Sequence, residues 1–231
     1  MIISSFDKVL INQEEAIPVP TMLEIEQIRK KGILFSVCTN HLYQEVLDYN
    51  RDFPFIDYII SLNGSYIYDV KAQRCSYKKK VSLSVQKKIQ ELFPKEKIIY
   101  YTEESSYETL PDNTDIYKIE VELTDETEIG DKLKKLKVSS SILEYQGKKY
   151  LEITSNSCNM FGAVDHIGLK NNINLKEIIS VCSNESDLCL VQNIANGYMI
   201  EHAGIMLPNG VKKIDSLDSI LKMVLQKKIK I

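Results

Sequence analysis

The chain has no tryptophan, and only three histidines, six prolines and nine glycines among its 231 residues. The histidines, His41, His166 and His202, share no ligand spacing, so no histidine-built metal motif is present. The five cysteines (Cys38, Cys75, Cys158, Cys182 and Cys189) are odd in number and include no CxxC pair. That pattern fits neither a zinc site nor a disulfide framework. Cys38 and Cys182 each lie inside an apolar run and are expected to be small buried hydrophobes, with no histidine placed to activate a thiol. A basic excess is missing too: 29 Lys and Arg against 32 Asp and Glu leave a formal charge of −3, which argues against a nucleic-acid partner. The lysine runs at 77–80 and 226–230 read as solvated faces. No stretch approaches the roughly 18 apolar residues of a membrane span, and the apolar opening at 1–3 is too short for a secretory leader. The expectation is a cytoplasmic protein with no membrane partner.

What is present is a core-forming composition, 44% hydrophobic and 26% charged. Residues 1–6 read as a buried strand running into a polar turn. Met22, Ile25 and Ile28, at three-residue spacing ahead of Gly32, predict an amphipathic helix over 21–31. Buried strands follow at 33–38 and, after a second helix, at 58–61. Strand, helix, strand, helix, strand is the signature of a parallel sheet with right-handed crossovers. A β-ribbon over 65–77 is expected to leave this core. From about residue 81 the pattern changes: a helix over 84–93, strands at 98–102 and 116–123, a charged helix over 126–136 and a hairpin around Gly147. The alternation at 116–123 predicts an antiparallel sheet with one buried and one wet face. The α/β pattern resumes with a helix at 161–167, a strand at 178–182, a short strand at 197–200 and a helix over 216–226. The expected organisation is an α/β core of residues 1–78 and 154–231, with an α+β unit of residues 79–153 inserted into it.

In open α/β sheets, ligands bind beyond the carboxyl ends of the parallel strands. Those ends carry Ser5 and Asp7, then Thr39, Asn40 and His41, then Asn63 and Gly64, and finally residues 183–187. Hydroxyls, amides and carboxylates on converging loops suit a phosphate or sugar-phosphate ligand, though each has a plainer reading. Asp7 can simply cap its turn. Thr39 can be an ordinary strand terminus. Asp187 can be an acid of the first turn of the next helix. The tyrosines Tyr100, Tyr101, Tyr107, Tyr117, Tyr145 and Tyr150 follow from β-propensity, with a few expected to line a pocket facing the core.

In order and spacing these segments resemble the haloacid dehalogenase (HAD) superfamily, in its Cof-type branch. The segment Ser5-Phe6-Asp7-Lys8-Val9 resembles the DxDx(T/V) motif, with Ser5 at the nucleophile's position and Asp7 at the general acid/base's. Cys38-Thr39-Asn40-His41 resembles the second motif, and Asn63-Gly64-Ser65 the NGA turn; the resemblance implies phosphate binding by Thr39, Asn40, Asn63 and Gly64. Residues 152–163 resemble the segment carrying the third-motif lysine, with Met160 at its position. Residues 182–188 resemble the acidic GDxxND loop, of which Asp187 survives while Ser183 and Ser186 replace Asp and Asn. The resemblance implies a HAD-like Rossmannoid three-layer core with a parallel sheet, plus a small α+β cap at 79–153.

It also implies an attacking carboxylate, a magnesium ion and a lysine, and here the departures weigh most. A serine hydroxyl without a base is a weak nucleophile. Asp7 and Asp187 alone predict at most a weak Mg²⁺ site. The expected function is therefore a HAD-like chain with impaired catalysis that acts by binding a small phosphorylated metabolite or a protein partner. The alternative is a weakly active Mg²⁺-dependent phosphatase for a substrate such as a sugar phosphate. A purely structural or oligomerisation module is the remaining reading.

Overall fold

The computed structural model describes all residues except 13, 52–53, 125–128, 130–132, 157, 184–186, 201–210 and 230–231. The expected helix over 126–136 thus falls mostly outside the described residues, as do His202 and Ser186.

The first apolar segment forms β1 (Ile2–Ser5), whose four residues are all buried. Its alternating side chains serve two cores: Ile2 packs in one hydrophobic cluster and Ile3 in another. The same division runs through β2 (Phe35–Cys38), β3 (Tyr58–Ser61) and β11 (Ile179–Cys182). One face of the sheet receives Phe35, Val37, Ile59 and Val181, and the other Cys38, Ile60 and Cys182. A strand buried on both faces has no polar side to show, which is why these segments read as continuous apolar runs. Helices α1 (Val19–Lys30), α2 (Tyr43–Asn50) and α6 (Leu217–Leu225) contribute Ile25, Ile28, Val46, Ile220 and Leu221 to the first cluster. Helices α4 (Met160–Lys170) and α5 (Leu188–Asn193) contribute Val164, Ile167 and Leu190 to the second. The result is a three-layer α/β/α arrangement.

The sheet has eight strands in the order β13-β12-β11-β1-β2-β3-β4-β5, where β4 is Tyr66–Asp69, β5 Arg74–Lys78, β12 Asn196–Ile200 and β13 Lys212–Ile214. Pairing is parallel from β13 to β3, and β4 and β5 run antiparallel at the edge. The expectation that the ribbon leaves the core is therefore wrong. Strand β4 pairs with β3 through Ser61 opposite Tyr66, and Tyr66 and Ile67 are buried, so the ribbon extends the main sheet. Its apolar residues have more surface to bury there than in solvent.

The second sheet, β7-β6-β8-β10-β9, is antiparallel. Its strands are β6 (Ile98–Tyr101), β7 (Ser106–Tyr107), β8 (Lys118–Leu123), β9 (Val138–Tyr145) and β10 (Lys148–Ser155). Ile119, Val121, Leu151 and Ile153 form its apolar face, packed with Ile89 of α3 (Leu83–Leu92). The opposite face carries Lys118, Glu120 and Glu152, and the expected wet side is not wet. Lys118 is 1% exposed and Glu152 2% exposed. Hydrogen bonds to Asn40 and Asn63 show the reason: this face lies against the loops after β2 and β3.

Candidate functional site

The chain leaves β1 in one wide turn, closed by the Ile11 N–H donating to the Phe6 carbonyl at 3.1 Å. Lys8 adopts a left-handed φ of 61° within it, and the turn presents Asp7 beside the end of β2. There the Thr39 hydroxyl donates to Asp7 Oδ2 at 3.2 Å, and the same hydroxyl accepts the His41 backbone N–H at 3.1 Å. His41 bridges two carboxylates: Nε2 lies 3.5 Å from Asp7 Oδ1, and Nδ1 lies 3.1 Å from Glu45 Oε2. Bonds to Asp7 and Glu45 raise the imidazole to about 10, so it is a cation at neutral pH. Burial pushes the Asp7 carboxyl upward, but the His41 and Thr39 contacts outweigh it and leave Asp7 below its ordinary value. Asp7 and Thr39 are therefore partners, not merely a turn cap and a strand end.

Ser5 and Asp187 also meet. The Ser5 hydroxyl donates to Asp187 Oδ2 at 2.5 Å, in a buried contact. Asp187 stands at the entry to α5 but makes no side-chain cap there, so the helix-terminus reading gives way to the serine contact. Burial raises its carboxyl to about 6, against the lowering effect of the Ser5 bond. Ser183 closes the group by donating its hydroxyl to the Asp7 backbone carbonyl at 3.0 Å. Met160, at the position matched to a lysine, is 3% exposed and packs in the hydrophobic cluster with Ala163 and Val164. It has no polar head to offer the site. Burial drives the Cys38 and Cys182 thiols well above their ordinary range, in keeping with a packing role.

The turn after β3 holds three consecutive residues in the left-handed region, Leu62, Asn63 and Gly64. Gly64 is required on a second count: a Cβ there would meet the Asn159 carbonyl oxygen at 2.6 Å. This tight turn aims the Asn63 side chain at Glu152, to which it donates at 2.9 Å. The Asn40 amide donates to the other oxygen of the same carboxylate at 3.2 Å. Lys118 Nζ completes the group, donating to Glu152 at 3.0 Å, to Glu120 at 3.2 Å and to the Asn40 carbonyl at 3.0 Å. It also sits 4.3 Å from the centre of the Tyr101 ring.

The site residues thus fall into two connected groups: Ser5, Asp7, Thr39 and Asp187 on the core, and Asn40 and Asn63 bound to the second sheet. Reading strand ends missed Lys118, Glu120 and Glu152. Their only signal was their shared phase on strands β8 and β10.

As donors for a resident magnesium ion, the described residues fit poorly. The Asp187 carboxylate accepts a hydrogen bond from the Ser5 hydroxyl, the Asp7 carbonyl accepts one from Ser183, and the Asp7 carboxylate is held by Thr39 and His41. Among the described residues no group of three His, Cys, Asp or Glu is arranged to hold a metal ion.

Residues 2–109 match the model of the haloacid dehalogenase-like hydrolase family. Similar solved structures include a HAD subclass IIB sugar phosphatase, at 18% identity and a TM-score of 0.81, covering 99% of this chain and 98% of the other. A haloacid dehalogenase-like hydrolase from B. subtilis is similar at 13% identity and a TM-score of 0.80, covering 97% and 98%. A HAD/Cof-like hydrolase from Plasmodium vivax follows at 16% identity and 0.80, covering 98% and 95%. No curated protein sequence matches the chain. The family match covers residues 2–109, and the whole chain shares the fold of these haloacid dehalogenase-like structures.

Proposed function

We propose that this protein binds a small phosphorylated ligand on a HAD scaffold and has lost efficient phosphoryl transfer. The observation that carries the reading is the 2.5 Å bond between Ser5 and Asp187. It pairs the residue at the nucleophile's position with the surviving carboxylate of the acidic loop. A hydroxyl bonded this way is not an attacking carboxylate, and Asp187 is the base in contact with it among the described residues. Met160 adds no charge to offset that of a transferring phosphoryl group. Removing one such electrostatic group costs ~10²–10³ in rate, and here nucleophile, lysine and metal donors are altered together. Binding at the mouth would use Thr39, Asn40, Asn63 and Gly64, with residues 79–153 acting as a cap over them. A cytoplasmic setting suits the free cysteines, and no described helix is long and apolar enough to cross a membrane.

A second reading, weak Mg²⁺-dependent hydrolysis of a sugar phosphate, is favoured by one observation: Asp7 keeps its carboxylate and its Thr39 and His41 partners. Hydrolysis of an aryl phosphate and a sugar-phosphate panel, with Mg²⁺ or EDTA, separates the two. The binding reading expects no turnover by wild type and a measurable gain in Ser5→Asp. Wild-type turnover abolished by EDTA and by Asp7→Ala would establish the second.

A further inference from the structure

The most completely built oxyanion site among the described residues already contains an anion, and it is part of the chain. Four donors converge on the Glu152 carboxylate. Oε1 accepts from Asn40 Nδ2 at 3.2 Å and Lys118 Nζ at 3.0 Å. Oε2 accepts from Asn63 Nδ2 at 2.9 Å and the Ser141 hydroxyl at 3.2 Å. Asn40 and Asn63 come from the loops after β2 and β3, where an α/β sheet takes its ligand. Lys118, Ser141 and Glu152 come from the second sheet. An ammonium and two amides are what a phosphate monoester would also draw on, through charge-assisted bonds. The carboxylate has the advantage of being intramolecular, at an effective concentration no free metabolite matches. Its position is not a passive consequence of packing. Glu152 stands directly opposite Glu120 across β10 and β8, a like-charge pair that is unfavourable by itself. The pair persists because Lys118 binds both.

We infer that Glu152 is a resident competitor for the anion position formed by Asn40, Asn63 and Lys118, and that a phosphorylated ligand reaches those donors only by displacing it. Two of the four bonds, those from Asn40 and Asn63, tie the second sheet to the core, so ligand binding exchanges these two contacts between the sheets while Lys118 stays in place. Lys118 keeps Glu120 as its partner when Glu152 leaves, so the exchange does not strand a bare buried cation. The inference rests on the reading of the chain as a binder of phosphorylated ligands and adds that its unliganded state is self-occupied.

The test is a titration of the full chain and its Glu152→Ala and Glu152→Gln variants with inorganic phosphate. Binding is read by calorimetry, and the side-chain amides of Asn40 and Asn63 by NMR. The expected result is at least ten-fold tighter phosphate binding by Glu152→Ala than by wild type, with both amide pairs shifting on saturation. Glu152→Gln keeps the shape of the side chain, loses its charge and is expected to gain several-fold, which also covers a Glu152→Ala chain that fails to fold. Equal affinity in wild type and folded variants overturns the inference, as does binding that leaves both amides unmoved. Phosphatase turnover by wild type would sink the functional reading and leave the affinity ratio intact. An unchanged ratio would sink only the role given to Glu152.

Discussion

Two polar groups lie side by side in this molecule and are built on opposite principles. Around Ser5, carboxylates are satisfied mainly by hydroxyls: Ser5 on Asp187, Thr39 on Asp7, and Ser183 on the Asp7 carbonyl. Around Glu152, carboxylates are satisfied by a buried ammonium and two amides, with the Ser141 and Tyr101 hydroxyls in support. The first group stands where family resemblance places phosphoryl transfer, yet its polar contacts are short, local and internally closed. The second stands where two sheets meet and holds the buried Lys118–Glu152 ion pair at 3.0 Å. The Lys118 ion pairs lie within the second sheet, and the Asn40 and Asn63 amides carry the contact across to the core.

The largest expected effect comes from breaking the ionic group. Lys118→Met leaves Glu120 and Glu152 facing each other with no cation between them and is expected to cost about 3–5 kcal/mol in denaturant unfolding. A loss below ~1 kcal/mol would mean that the two carboxylates find water or protons readily and that the group is no anchor. Sharpening the hydroxyl group works in the opposite direction. Burial raises the Asp187 carboxyl from 3.8 to about 6, so the cost of ionising it in the folded state builds up as pH rises from the lower value and is complete above the upper one. Asp187→Asn keeps an acceptor for Ser5 without the charge and is expected to stabilise the protein by about 1–3 kcal/mol at pH 8 and hardly at all near pH 3.5. Thermal melts at the two pH values check this, and an equal effect at both would refute the assigned cause. The smallest effect belongs to His41. Its pKa is raised from an ordinary 6.5 to about 10, so its contribution is complete below the lower value and is lost as pH rises through the upper one. Because the imidazole is half-exposed, His41→Gln is expected to cost only ~0.5–1 kcal/mol at pH 7. The difference from wild type should vanish by about pH 11, as urea midpoints across that range would show.

How much of this was legible beforehand follows from where each signal resides. Doubly buried strands such as β1, β2, β3 and β11 declare themselves as short apolar runs, and their ends pick out Ser5, Asp7, Thr39 and Asn63 without further information. Strands β7 and β13 do not: Ser106, Tyr107, Lys212 and Lys213 are exposed and carry no periodic pattern. The ribbon was misplaced because alternation in a hairpin does not say which sheet it joins; the pairing of Ser61 with Tyr66 decides that. The group around Glu152 was hidden for a similar reason. Alternation in β8 places Lys118 and Glu120 on the face away from Ile119 and Val121. Nothing in one strand reveals that another part of the chain covers that face. A polar stripe reads as solvent-facing until its cover is known.

The fit of Gly64 against the Asn159 backbone bears on how the molecule can move. The chain crosses between the two sheets twice, near residues 79–82 and again between β10 and α4. On the return crossing, Asn159 is fastened to α4 by its side chain, which accepts the Gly162 N–H at 2.7 Å, and is pressed against Gly64 by the absence of a Cβ. That riveted point cannot serve as a pivot. Any swing of the second sheet away from the core must bend the chain ahead of Asn159 and at the outgoing crossing. This hinge axis would carry Glu152 away from Asn40 and Asn63 while leaving the turn that holds Asn63 in place.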